Sequence, residues 1–146
     1  MVSPSSIGDI AHVIQLAIAP VFLLTGVGTL LAVLSNRLGR AVDRGRVVEK
    51  LVPGLEGEAL ARAHEELLLL SRRTQLIYTA IALAVGCALF ICLLIAVAFV
   101  DAFLAVNLAV TIAVLFVLAM LALTGCLIVF LREIFLAVTS ARRAMR

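Results

Sequence analysis

Thr74–Leu131, TQLIYTAIALAVGCALFICLLIAVAFVDAFLAVNLAVTIAVLFVLAMLALTGCLIVFL, is a run of 58 residues in which Asp101 is the single charge. As one helix it would extend about 87 Å, at about 1.5 Å per residue. The hydrocarbon core of a bilayer is only about 30 Å thick. The run therefore has to fold back, and the lone carboxylate between Val100 and Ala102 marks the expected hairpin. Two membrane spans follow, at about residues 76–100 and 103–131.

Upstream, residues 10–34 form another apolar run, long enough to span with some tilt. Ser6 with Asp9 three residues on has the pattern of a capping box, which predicts that the helix starts there. Pro20, followed by Thr25, Gly26 and Gly28, weakens this helix in mid-membrane and permits a kink. Past the run, Ser35–Leu51 reads SNRLGRAVDRGRVVEKL, where Leu34, Leu38 and Val42 continue an apolar line among charged residues. That pattern is an amphipathic continuation of the same helix. Pro53-Gly54 is a turn signal. After it Leu60, Ala63, Leu67 and Leu70 resume helical spacing and run into the second span. Residues 35–75 are thus expected to form an antiparallel helical hairpin. Its register about the turn sets Arg44 beside the Glu65 neighbourhood and brings Asp43 within reach of Arg62. The charge network expected on it comprises Arg37, Arg40, Asp43, Arg44, Glu65, Glu66, Arg72 and Arg73.

All 12 Lys and Arg residues lie in Arg37–Arg73 or Arg132–Arg146. Short loops rich in Lys and Arg remain on the cytoplasmic side during insertion. The fold expected is an all-α membrane protein of three long transmembrane helices, amino terminus outside and carboxyl terminus in the cytoplasm. Its first two helices extend into the cytoplasm as the hairpin, and 132–146 follow as a helical or interfacial tail. The amino-terminal stretch has no basic residue before its apolar run, so it is expected to be a retained membrane helix rather than a cleaved signal. Composition agrees: 64 % of residues are hydrophobic and the mean hydropathy is +1.24. A soluble domain is nearer half apolar. The chain is expected to form a single multi-pass domain of the cell (inner) membrane.

The net charge of +3 comes without an aromatic platform or a recognised motif, so nucleic acid is not an expected partner. Basic residues flanking spans fit topology and anionic lipid headgroups better. Cys87, Cys92 and Cys126 sit inside apolar runs and behave as small hydrophobes, not as a disulfide framework. Nucleophilic catalysis needs a nucleophile, a base and an orienting group within reach. His12 and His64 fall on opposite sides of the membrane, and no HExxH, GxSxG or P-loop arrangement is present. His64 with Glu65 and Glu66 reads as a solvated face. No catalytic residue, cofactor or metal site is expected, and the chain is read as non-enzymatic.

Two features remain. Small residues allow helices to approach closely in lipid, and they recur every four residues at Ala80, Ala84, Ala88, Cys92 and Ala96, and at Ala105, Ala109 and Ala113. These lines are expected to meet. On the first helix, steps of about 100° place His12, Gln15, Phe22, Gly26, Thr29 and Asn36 in one arc. Polar groups are costly against lipid, so the arc is expected to face protein or water. Two readings result. In one, a homo-oligomer packs through its seams and uses the charged hairpin for assembly or partner docking. In the other, an ion channel or small-solute pore is lined by the first helix, with ions as its ligands.

The segments LAIAPVFLLTGVGTLLAVLSNRLGRAVDRGRVVE (16–49) and RRTQLIYTAIALA (72–84) resemble the bacterial membrane proteins grouped as domain-of-unknown-function family 2721. The resemblance implies a small integral membrane protein with about three helices. It marks Asn36, Arg37, Arg40, Asp43, Arg44, Arg72 and Arg73 as notable positions and implies no substrate.

Overall fold

The structure is a computed structural model and describes residues 4–104 and 107–144, with side chains for 14, 15, 18–104 and 107–138. Among the described residues it is all helical. α1 covers Pro4–Leu51, a 3-10 turn covers Val52–Gly54, α2 covers Gly57–Leu104 and α3 covers Ala109–Ala144. All three helices are long and apolar enough to cross a membrane. α1 and α2 have 48 residues each, about 72 Å of helix at about 1.5 Å per residue.

The first connection is built from the residues that cannot continue a helix. Pro53 sits in the 3-10 turn, Leu55 is extended, and the Leu55 amide donates to the Val52 carbonyl at 3.1 Å. Gly57 then starts α2 at a φ of +59°, in the left-handed region that glycine enters without a Cβ clash. The second connection differs from the expectation in its place. Phe103 and Leu104 still belong to α2, and α3 begins only at Ala109. Asp101 therefore precedes the turn instead of marking its apex. Its Oδ1 accepts the Leu108 amide at 2.8 Å, and the Leu108 carbonyl accepts the Ile112 amide. The carboxylate thus caps the start of α3, satisfying an amide that has no helical partner of its own.

The chain divides into two compact units. The first, Met1–Leu30 with Leu83–Thr124, buries Val27, Ala84, Cys87, Ile91, Leu94 and Ala119. Its outside is apolar: Leu89, Phe103, Val110 and Leu121 are all exposed. A continuous apolar exterior of this kind needs a hydrocarbon solvent. The second, Leu31–Ala82 with Gly125–Arg146, buries Leu34, Ala41 and Val48 from α1, Ala63, Leu70 and Ile77 from α2, and Cys126 and Glu133 from α3. On each helix these positions are seven apart, the spacing of a coiled-coil seam.

That spacing corrects the expected small-residue lines. Ala80 and Ala84 are buried, but Ala88 is only half-buried and Cys92 and Ala96 are exposed. Steps of four turn about 40° past a full rotation each time in a helix of about 3.6 residues per turn. The buried seam instead alternates three and four, through Ala80, Ala84, Cys87, Ile91 and Leu94. Ala109 and Ala113 are likewise exposed, and Ala105 lies outside the described residues. α1 starts at Pro4 rather than at the Ser6–Asp9 pattern, whose side chains lie outside the described ones. Pro20 sits inside an uninterrupted α1.

Replacing Asp101 by Ala should lower the stability of the detergent-solubilised protein by about 0.5–2 kcal/mol, the usual cost of a lost cap, while Asp101→Asn should retain most of it. Thermal unfolding followed by circular dichroism reads both.

Candidate functional site

All charged contacts between helices that the structure shows lie in the second unit. At their centre is Glu133 of α3, which is fully buried at 0 % exposure. Its Oε1 accepts hydrogen bonds from Arg73 Nε at 3.2 Å and Arg73 Nη2 at 3.0 Å, a two-pronged approach from α2. Arg37 of α1 brings Nη2 to 2.6 Å from Oε2, at an angle that makes the contact an ion pair rather than a well-formed hydrogen bond. One carboxylate thus holds two guanidinium groups, each 24 % exposed, and links three helices. The Arg37 guanidinium carbon also lies 5.5 Å from the centre of the Phe130 ring, within cation–π range. Arg37 Nε is buried without a hydrogen-bond partner.

An isolated buried carboxylate costs several kcal/mol to desolvate. Two cations at close range offset that cost, because Coulomb attraction grows as water is excluded. Arginine suits the position better than lysine, since its planar fork stays charged and donates in pairs.

Farther along the hairpin, Arg44 Nε donates to Glu66 Oε1 at 2.6 Å. The expected neighbourhood is correct, with Glu66 taking the place of Glu65. Arg44 and Glu66 stand equally far from Leu55, as do Arg37 and Arg73, because the turn is centred on Leu55 and not on Pro53-Gly54. The expected Asp43–Arg62 pair does not form. Arg62 bonds Glu58 one turn away on its own helix at 3.0 Å, and both are largely exposed. Asp43, Glu65, Arg40 and Arg72 are exposed and make no ion pair among the described residues. His64 Nδ1 lies 3.0 Å from the Leu60 carbonyl.

The residues proposed to line a pore fall as follows. Gln15, Phe22, Gly26, Thr29 and Asn36 are all exposed, Phe22 at 74 %. The side chain of His12 lies outside the described residues. Thr29 Oγ1 donates to the Thr25 carbonyl and Thr25 Oγ1 to the Val21 carbonyl, so both hydroxyls are engaged within the helix.

Sequence reasoning missed Glu133. The available signal was its isolation: it is the one acidic residue after Asp101, set among Arg132, Arg142, Arg143 and Arg146. Arg37, Arg40, Arg44 and Arg73, with Ala41 and Leu70, line a cleft of about 190 Å³ in the same unit.

Three apolar helices tied by a buried carboxylate define a multi-pass α-helical membrane protein. The model of the family described as a protein of unknown function, DUF2721, matches residues 17–143, and the chain belongs to that family. No curated protein and no solved structure matched the chain.

Replacing Glu133 by Gln should destabilise the protein by about 3–5 kcal/mol, since it strands two partly buried cations. Arg44→Ala should cost no more than about 1 kcal/mol, as expected of an exposed pair. Thermal unfolding of the two variants in one detergent checks the contrast.

Proposed function

We propose that the protein is a non-enzymatic, homo-oligomeric component of the cell (inner) membrane, with its amino terminus outside and its carboxyl terminus in the cytoplasm. In this reading the charged hairpin at 35–75 projects into the cytoplasm as a rigid element for assembly or partner docking. Orientation rests on the confinement of every Lys and Arg to the hairpin and the tail. Projection rests on length: about 72 Å of α1 or α2 exceeds about 30 Å of hydrocarbon more than twofold.

The observation that carries oligomerisation is the outward face of α1. Gln15, Phe22, Gly26 and Thr29 lie exposed there, and a Cβ built on Gly26 meets nothing within 4 Å. A small and partly polar helix face is poorly matched to lipid, and small residues are what close helix pairing in membranes uses. A second copy of α1 suits it in both size and polarity. The engaged hydroxyls of Thr25 and Thr29 and the bulk of Phe22 favour a packed contact over a hydrated pore lining.

The same open space makes the test clean. Gly26 is exposed, a Cβ there meets nothing within 4 Å in one copy, and Gly26→Leu improves helix propensity, so the single subunit should fold unchanged. Native mass spectrometry and light scattering in mild detergent should show oligomers for the parent chain and a shift to monomer for the variant. Monomeric parent protein, or an unchanged oligomer with Leu at position 26, would refute the proposal.

A further inference from the structure

We propose that the cleft lined by Arg37, Arg40, Arg44 and Arg73 is a binding site for a phosphate group, presented by an anionic lipid headgroup or as free phosphate. Four arginines line it, and its only other lining residues are Ala41 and Leu70. The carboxylates that engage these arginines, Glu133 and Glu66, are not among the lining. Two carboxylates against four cations leave the cleft positive, and Arg40 makes no ion pair among the described residues. Like charges gathered this closely repel each other, so a counter-anion is the ligand that relieves the arrangement. Guanidinium groups bind phosphate oxygens in pairs through their planar forks, which sets this chemistry apart from that of a halide.

Size and position narrow the ligand. About 190 Å³ falls below the roughly 300–1,000 Å³ of sites for drug-sized molecules, which favours a single charged group. Arg37 and Arg73 are the basic residues closest to the apolar spans on their helices. A phosphate held there would lie at headgroup depth, where basic pockets between membrane helices take anionic lipids. Glu133 engages two of the four arginines, so their side chains are held in place before the ligand arrives.

The full-length protein in a neutral detergent, titrated separately with phosphatidylglycerol, phosphatidylcholine and inorganic phosphate, tests the site by native mass spectrometry and by the shift in unfolding temperature. Phosphatidylglycerol should bind at least about tenfold more tightly than phosphatidylcholine. Arg40→Gln removes a solvent-exposed side chain that makes no ion pair among the described residues, so the fold is kept; it should weaken binding about five- to tenfold, on the order of one cation's contribution at a lipid surface. Arg46→Gln removes an equal charge outside the cleft and should change affinity by no more than about twofold at physiological salt. Tighter binding of phosphatidylglycerol than of inorganic phosphate assigns the site to a lipid headgroup, and equal binding assigns it to free phosphate. Equal retention of the two lipids with no phosphate binding would overturn the proposal. So would equal losses from Arg40→Gln and Arg46→Gln, which would reduce the effect to general surface charge.

Discussion

A carboxylate removed from water needs cations, and Glu133 finds them on two other helices. Its two oxygens hold Arg73 and Arg37, which fixes the rotation of α3 against the α1–α2 hairpin within the second unit. Apolar packing alone is a weak guide to rotation here. The seam residues Leu34, Ala41, Leu70, Ile77 and Cys126 could exchange for similar neighbours by a small turn of any helix, and volume-conserving changes of that kind cost little. An ion pair between planar groups tolerates no such turn. Buried ionic groups do not in general add stability over apolar replacements. The effect of Glu133 is therefore on which arrangement forms, and it explains why Arg37 and Arg73 occur where the apolar spans end.

The first unit obeys different physics. Its helices show hydrocarbon to hydrocarbon, and little hydrophobic drive brings them together in lipid. Small buried residues, Ala84, Cys87 and Ala119, permit close contact instead. Of the two carboxylates in this unit's sequence, Asp9 and Asp101, the second spends its charge on a backbone amide at the turn. In the second unit charge is concentrated and partly paired; in the first it is nearly absent. That division is what places the candidate site, since all four arginines belong to the charged unit.

Much of this was legible in the residues. The 58-residue run could not be one span, Pro53-Gly54 could not stay α-helical, and the i, i+3, i+4 pattern on both sides of it announced a helix before and after the turn. Arg44 was expected near Glu65, and it meets the next residue, because Leu55 and Glu56 lengthen the turn. Charge counting located the second hairpin to within a few residues, yet could not tell an apex from a cap. Asp101 caps at a distance of seven residues, a relation that depends on how α2 ends. The four-residue lines failed by accumulated rotation, which only the seven-residue seam corrects. Glu133 was out of reach because its role is a three-body one: neither the hairpin register nor the α3 pattern names it until both are placed together. Asp43 and Arg62 were paired by register alone, but a partner one turn away on the same helix competes more cheaply for an exposed side chain.

A double-mutant cycle on Arg73 and Glu133 addresses the buried carboxylate most directly. Unfolding free energies of the parent, Arg73→Met, Glu133→Gln and the double variant, measured in one detergent, give the coupling between the two side chains. A carboxylate that orders the three helices predicts a coupling of about 1.5–3 kcal/mol, with the double variant more stable than the sum of the single losses implies. Additive losses within about 0.5 kcal/mol, the behaviour of independent sites, would mean that the two side chains do not meet in the membrane protein and that Glu133 does not tie α3 to α2.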